Sequence, residues 1–97
     1  MKLVVVVAAL AALPVHAQDS PAARSLAATC AACHGTDGRS TTKEVIALAG
    51  LPKEHVVSQM RAFRDGTRPA TVMHQIAKGY SDQQIDLLAD YFSRRPR

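Results

Sequence analysis

The strongest constraint on this chain is how little it has to build a core from. Its 97 residues contain no Trp, two Tyr and two Phe. Domains this small bury a modest share of their surface, and many need a disulfide, a metal or a bound group to stay folded. Cys30 and Cys33 are the only cysteines. A bridge closing so short a loop would restrict the unfolded chain weakly. Something other than side chains has to fill the middle of the fold.

The beginning of the chain is set apart from the rest. Met1-Lys2 gives a positive start, Leu3 to Leu13 is an unbroken apolar run, Pro14 interrupts it, and Val15-His16-Ala17 ends on a small residue. This is the layout of a secretory signal peptide, with cleavage expected after Ala17. The run is too short for a membrane span, which takes about 20 apolar residues. Residues 1–17 are therefore read as a leader and residues 18–97 as one domain, exported to a periplasm and without a membrane span once the leader is gone. Losing Lys2 takes the net charge from +4 to +3. That is mildly basic, and it suits an encounter with an acidic partner surface. Basic residues are not interleaved with aromatics, so a nucleic-acid partner is not expected.

Residues 18–97 read as four helical segments and no strand. Ser20 suits an N-cap and Pro21 the first helical position, opening an Ala-rich helix through Cys33 that ends at Gly35, Asp37 and Gly38. A short helical turn is expected near Lys43 to Ala47, closed by Gly50. Pro52 and Glu54 open the next helix, Val56, Met60 and Phe63 form its apolar stripe, and Gly66 ends it. Thr71 to Lys78 predicts a short helix ended by Gly79. Ser81 with Gln84 predicts a capping box, followed by an inward stripe of Ile85, Leu88, Ala89 and Phe92 with Tyr91 beside it. Arg94 and Arg95 are expected in the last turn, where cations suit the helix dipole.

The chemistry concentrates in Cys30-Ala31-Ala32-Cys33-His34. On a helix, Cys30 and Cys33 share a face and are separated by about 4.5 Å of rise. Two thiols so placed can add to the two vinyl groups of a haem, and His34 follows closely enough for its imidazole to reach the iron. C-x-x-C-H is the haem-attachment signature. A thioredoxin-like pair would need a strand before it, and a structural zinc would need four ligands. A disulfide alone would not explain the missing core, whereas a buried flat macrocycle would supply it.

A sixth iron ligand would come from Met60, Met73, His55 or His74. Met60 sits on an apolar stripe and reads as packing. His55 lies near the start of an exposed helix and reads as solvated. Met73 follows Arg68-Pro69, where a loop can carry a thioether to the far face of the ring. A methionine opposite histidine favours ferrous iron and raises the potential, whereas His74 would lower it.

These residues resemble the small bacterial class I cytochromes c. Cys30-Ala31-Ala32-Cys33-His34-Gly35-x-Asp37-Gly38 matches that family's attachment segment. Leu48-Ala49-Gly50 is similar to the turn after it, Gly66-x-Arg68-x-x-x-x-Met73 to the stretch presenting the axial methionine, and Gly79-Tyr80-Ser81-Asp82 with Leu88-Ala89-x-Tyr91-Phe92 to the last helix. The resemblance implies an all-α fold, four short helices around one covalently attached haem c, with the first and last helices crossing. It also implies that Met73 is the distal ligand. The family usually places a proline before the Leu-Ala-Gly turn, and its carbonyl accepts the ligand imidazole's N–H. Here Val45 and Ile46 stand instead, and a backbone carbonyl of that segment could still take the bond. The run Ala70 to Ser81 is further similar to the haem subunit of flavocytochrome c sulfide dehydrogenase, which accepts electrons from a flavoprotein.

Two function classes follow. The first is a freestanding periplasmic electron carrier, not an enzyme, with Cys30 and Cys33 attached to haem c and His34 and Met73 on the iron. The second is a subunit of an oxidoreductase complex, with a flavoprotein sulfide dehydrogenase as its redox partner. A haem enzyme or gas sensor would require Met73 to leave the iron open. Side-chain acid–base catalysis has no support, since the carboxylates are scattered.

Overall fold

The structure, a computed structural model, describes residues 1–9, 11 and 19–97. Residues 1–9 form neither helix nor strand, and Leu3 to Val7 are exposed. The expected cleavage junction after Ala17 lies outside the described residues. Among the described residues there are five α-helices and no strand: α1 (Pro21–Ala28), α2 (Ala31–His34), α3 (Lys53–Asp65), α4 (Met73–Ala77) and α5 (Asp82–Ser93). A 3₁₀ turn, Thr36–Gly38, follows α2. No helix among these residues is long and apolar enough to cross a membrane.

Local chemistry places the helix ends. The Ser20 hydroxyl accepts from the Ala23 N–H at 3.1 Å with Pro21 beside it, which starts α1. Ser81 and Gln84 form the reciprocal box at α5: the Gln84 side chain accepts from the Ser81 N–H at 2.9 Å, and the Ser81 hydroxyl accepts from the Gln84 N–H at 3.2 Å. Gly66 ends α3 in the left-handed region at φ 77°, after which the Thr67 N–H reaches the Ala62 carbonyl at 3.0 Å.

The core is the crossing of α1 and α5, with α3 packed on another side of α5 and α4 on α3. Ala23 and Ala27, one turn apart on α1, are small enough to let α5 approach closely. They pack against Leu88, Tyr91 and Phe92. The expected stripe of Ile85, Leu88, Ala89 and Phe92 is buried throughout, and Tyr91 is buried with it. Arg64 on α3 lies 2.8 Å from Asp82 at the start of α5 and holds that carboxyl below the usual range. Lying at the surface, such a pair adds little stability.

Three expectations differ from the structure. The helix expected through Cys33 breaks after Ala28, so five helices stand where four were read. Thr29 causes the break: its hydroxyl donates to the Leu26 carbonyl at 2.7 Å and its own N–H points there too, so the Cys30 N–H turns to Ala27 at 3.1 Å. Such back-bonding tightens a helix end into 3₁₀ geometry. The segment near Lys43 to Ala47 is not helical. The neighbouring backbone bonds to distant partners instead, Leu48 and Ala49 donating to the Gly38 carbonyl at 2.8 and 3.2 Å and Gly50 to Phe92 at 2.9 Å. Arg94 and Arg95 lie beyond the end of α5, and both reach back to Asp19.

Gly38 is where the turn meets the core. Its φ is 74°, and a Cβ there would lie 2.9 Å from the Phe92 ring and 2.9 Å from the Ala49 nitrogen. Backbone strain and overpacking therefore act together in Gly38→Ala. Its expected cost is about 2–4 kcal/mol, read as a lowered urea midpoint of the matured protein.

Candidate cofactor site

Thr29 breaks the first helix where Cys30 begins the second. Cys30 precedes α2 as its N-cap residue, and Cys33 and His34 form its second half. Both thiols are free. Cys30 is half-buried against the α1–α5 cluster, and burial pushes its thiol above the usual value, opposed in part by the Thr29 hydroxyl. Cys33 is exposed. No residue of α2 is buried.

His34 is oriented by one contact. Its Nδ1 lies 2.8 Å from the Ile46 carbonyl. A carbonyl can only accept, so Nδ1 carries the proton and Nε2 keeps its lone pair free, the tautomer of a metal-binding imidazole. Ile46 belongs to the segment that lacks the proline, and its backbone oxygen takes the place expected for that bond.

The loop after His34 is held by its glycines and by α5. Gly35 has φ 84°, and a Cβ there would come within 2.2 Å of the Arg39 carbonyl oxygen. Asp37 adopts φ 54°, and the Tyr91 hydroxyl donates to its carboxylate at 2.6 Å. This hydrogen bond, with burial behind it, raises the Tyr91 pKa above its ordinary 10.0. The Arg95 guanidinium stacks on the Tyr91 ring, 4.2 Å from its centroid.

Of the candidate distal ligands, Met73 is the first residue of α4 and half-buried. His74 is half-buried, with its Nδ1 buried and without a hydrogen-bond partner. Met60 is half-buried on α3 between Val56 and Phe63, and His55 is exposed. Sequence reading missed the Tyr91–Asp37 bond and a hydrogen bond between Tyr80 and Thr29. Neither leaves a periodic signal, because the partners are 54 and 51 residues apart.

The residues present fit a large apolar prosthetic group. α2 packs on the 3₁₀ turn and α4 packs on α3. Beside these elements, three large apolar side chains stay exposed: Ile46 at 53 %, Val72 at 50 % and Ile76 at 39 %. Ile46 supplies the carbonyl bonded to His34, and Val72 and Ile76 flank Met73. Among the described residues no three His, Cys, Asp or Glu side chains gather to hold a bare metal ion. A surface cleft lined by Lys53, Arg61, Asp65 and Asp86 includes neither cysteine, nor His34 or Met73.

The fold and this attachment segment are those of a c-type cytochrome. Residues 21–94 match the family described as Cytochrome c. The chain belongs to the cytochrome c family, whose members are electron carriers with haem c as their cofactor. It is 40 % identical over 67 residues to the cytochrome subunit of sulfide dehydrogenase of Chlorobaculum tepidum, covering 69 % of this chain and 60 % of that one. It is 42 % identical over 96 residues to the thiosulfate dehydrogenase electron acceptor of Thiomonas intermedia, covering 97 % of this chain and 44 % of that protein. A solved cytochrome c4 of Acidithiobacillus ferrooxidans shares the fold at a TM-score of 0.66 and 30 % identity, over 75 % of this chain and 49 % of its own. The chain thus spans about half the length of these relatives.

The Tyr91–Asp37 bond has a measurable pH dependence. A raised phenol pKa means that the folded state holds the proton more tightly. The stabilisation is intact below the unfolded value near 10 and is lost as pH rises through the folded value. Tyr91→Phe is expected to cost about 1–2 kcal/mol near pH 7. The difference in urea midpoint between the two proteins should shrink in the alkaline range above pH 10.

Proposed function

We propose that this protein is a periplasmic electron carrier. Residues 1–17 act as the export signal and residues 18–97 as the haem domain. Cys30 and Cys33 form the two thioether links, and His34 and Met73 are the axial ligands. The observation that carries this reading is the imidazole of His34, which gives its Nδ1 proton to Ile46 and so presents a free Nε2 directly after the two thiols. Bound there, haem supplies a one-electron ferric–ferrous couple.

The chain's own residues do the rest. The Ile46 carbonyl fixes the ring plane of His34 and strengthens it as a donor. Gly35 and Gly38 let the loop fold back tightly enough to bring that carbonyl into place. Met73, at the start of α4, would hold the iron from the side opposite His34 and so keep substrates from it. Ile46, Val72 and Ile76, exposed in this structure, would pack on the bound group and keep water from it. The role of this arrangement is transfer of an electron without bond chemistry.

In the matured protein, Met73→Ala is expected to abolish the sulfur-to-ferric-iron absorption band and to allow carbon monoxide to bind. Met60→Ala should leave both properties unchanged. The reverse pattern would move the ligand assignment to Met60.

A second reading makes the chain the haem subunit of a sulfide-oxidising complex that takes electrons from a flavoprotein. Its support is the 40 % identity to the Chlorobaculum tepidum subunit. Purification from the native source separates the two readings. A flavin-containing chain should co-elute in stoichiometric amount if the complex exists, and the cytochrome should elute alone if it is freestanding. In both cases the processed chain should begin at Gln18.

A further inference from the structure

Tyr80 and Thr29 join the two ends of the site. Thr29 immediately precedes Cys30, and its Oγ1 lies 3.0 Å from the Tyr80 hydroxyl. The direction of that bond is set by chemistry. A threonine hydroxyl has one proton, and Thr29 already donates it to the Leu26 carbonyl at 2.7 Å. Tyr80 must therefore donate to Thr29. The same Thr29 oxygen lies 3.9 Å from the Cys30 sulfur.

At its other end, Tyr80 is fastened to the helix that begins with Met73. Its N–H bonds to the carbonyl of Ala77 at 3.2 Å, and Gly79 bonds to Ile76 at 3.1 Å. Ala77 is the last residue of α4 and fully buried. The Tyr80 ring is half-buried against the α1–α5 cluster, and its hydroxyl meets the exposed Thr29 side chain. α4 has five residues, too few to be stable alone, and takes its position from what it packs against. One of those attachments runs through Tyr80 to the residue beside a proposed thioether cysteine.

We infer that the Tyr80–Thr29 hydrogen bond is a positioning strut: it fixes α4 relative to the Cys30 attachment and so keeps the Met73 sulfur within reach of the iron. The inference rests on the assignment of Cys30 and Met73 made above. Without the strut, α4 gains freedom at its C-terminal end and Met73 yields more readily to a competing ligand. Tyr80 and Thr29 touch neither axial position, so they act through α4 and the α1–α2 junction.

The test is displacement of the axial sulfur by imidazole in the oxidised, haem-loaded protein, followed through the sulfur-to-iron absorption band. Tyr80→Phe keeps the ring and removes the donor. It should raise imidazole affinity about fivefold, the effect of one net hydrogen bond. Thr29→Val, which also removes the hydroxyl bond to Leu26, should raise it at least as far, Tyr80→Phe should add nothing further in the Thr29→Val background, and Thr29→Ser should behave as the unaltered protein. A urea midpoint that falls in Tyr80→Phe while imidazole affinity stays unchanged would make the bond merely structural and overturn the proposal. Met73→Ala is the control for the underlying assignment. If it leaves the band intact, the ligand assignment fails. If it removes the band while Tyr80→Phe has no effect on imidazole binding, the strut alone fails.

Discussion

The contact between the Phe92 ring and the backbone of Gly38 sets much of what surrounds His34. Phe92 is buried in the crossing of α1 and α5, with its ring edge-on to Tyr91. Pressed against that ring, Gly38 turns its carbonyl toward the following segment, where it accepts from both Leu48 and Ala49. Those bonds fix the segment that carries Ile46, and the Ile46 carbonyl then aligns the imidazole. The Phe92 carbonyl adds a second hold on the same stretch through Gly50. The orientation of a proposed iron ligand thus depends on the packing of a helix near the other end of the chain.

The composition of the core explains why a prosthetic group belongs in this fold. The buried residues are mostly small, with Ala23, Ala27, Ala49, Ala77 and Ala89 among them, and Phe92 and Ile85 are the largest side chains that are fully enclosed. Alanines allow α1 and α5 to come close but contribute little apolar area each. A cytochrome of this size is therefore a polypeptide and a macrocycle sharing one interior. Ile46, Val72 and Ile76, large and apolar, remain exposed rather than joining that interior.

Much of this was legible in the order of residues because it depends on short-range chemistry. Ser20-Pro21, Ser81 with Gln84, and Gly66 each act on neighbours within one turn, and each stands where the sequence reading put it. The Cys30–His34 spacing is likewise local. What escaped was set by distant partners. Thr29 ends α1 with a hydroxyl that also receives Tyr80, and the stretch near Lys43 to Ala47 gives up a helical turn to neighbours bonded to Gly38 and Phe92. Tyr91 looked like a flanking residue of the α5 stripe. Its burial and its bond to Asp37 follow from a loop conformation, with Asp37 at positive φ, that no periodic pattern encodes. Arg94 and Arg95 were placed by their fit to a helix end, and they do reach back to Asp90 and the Tyr91 carbonyl, but both also pair with Asp19 at the other end of the domain's sequence.

That pairing with Asp19 also brings the two edges of the described helical domain together. Residues 19 and 95 meet at one corner of the fold. Joining a further unit at that corner requires only a linker and no threading through the interior.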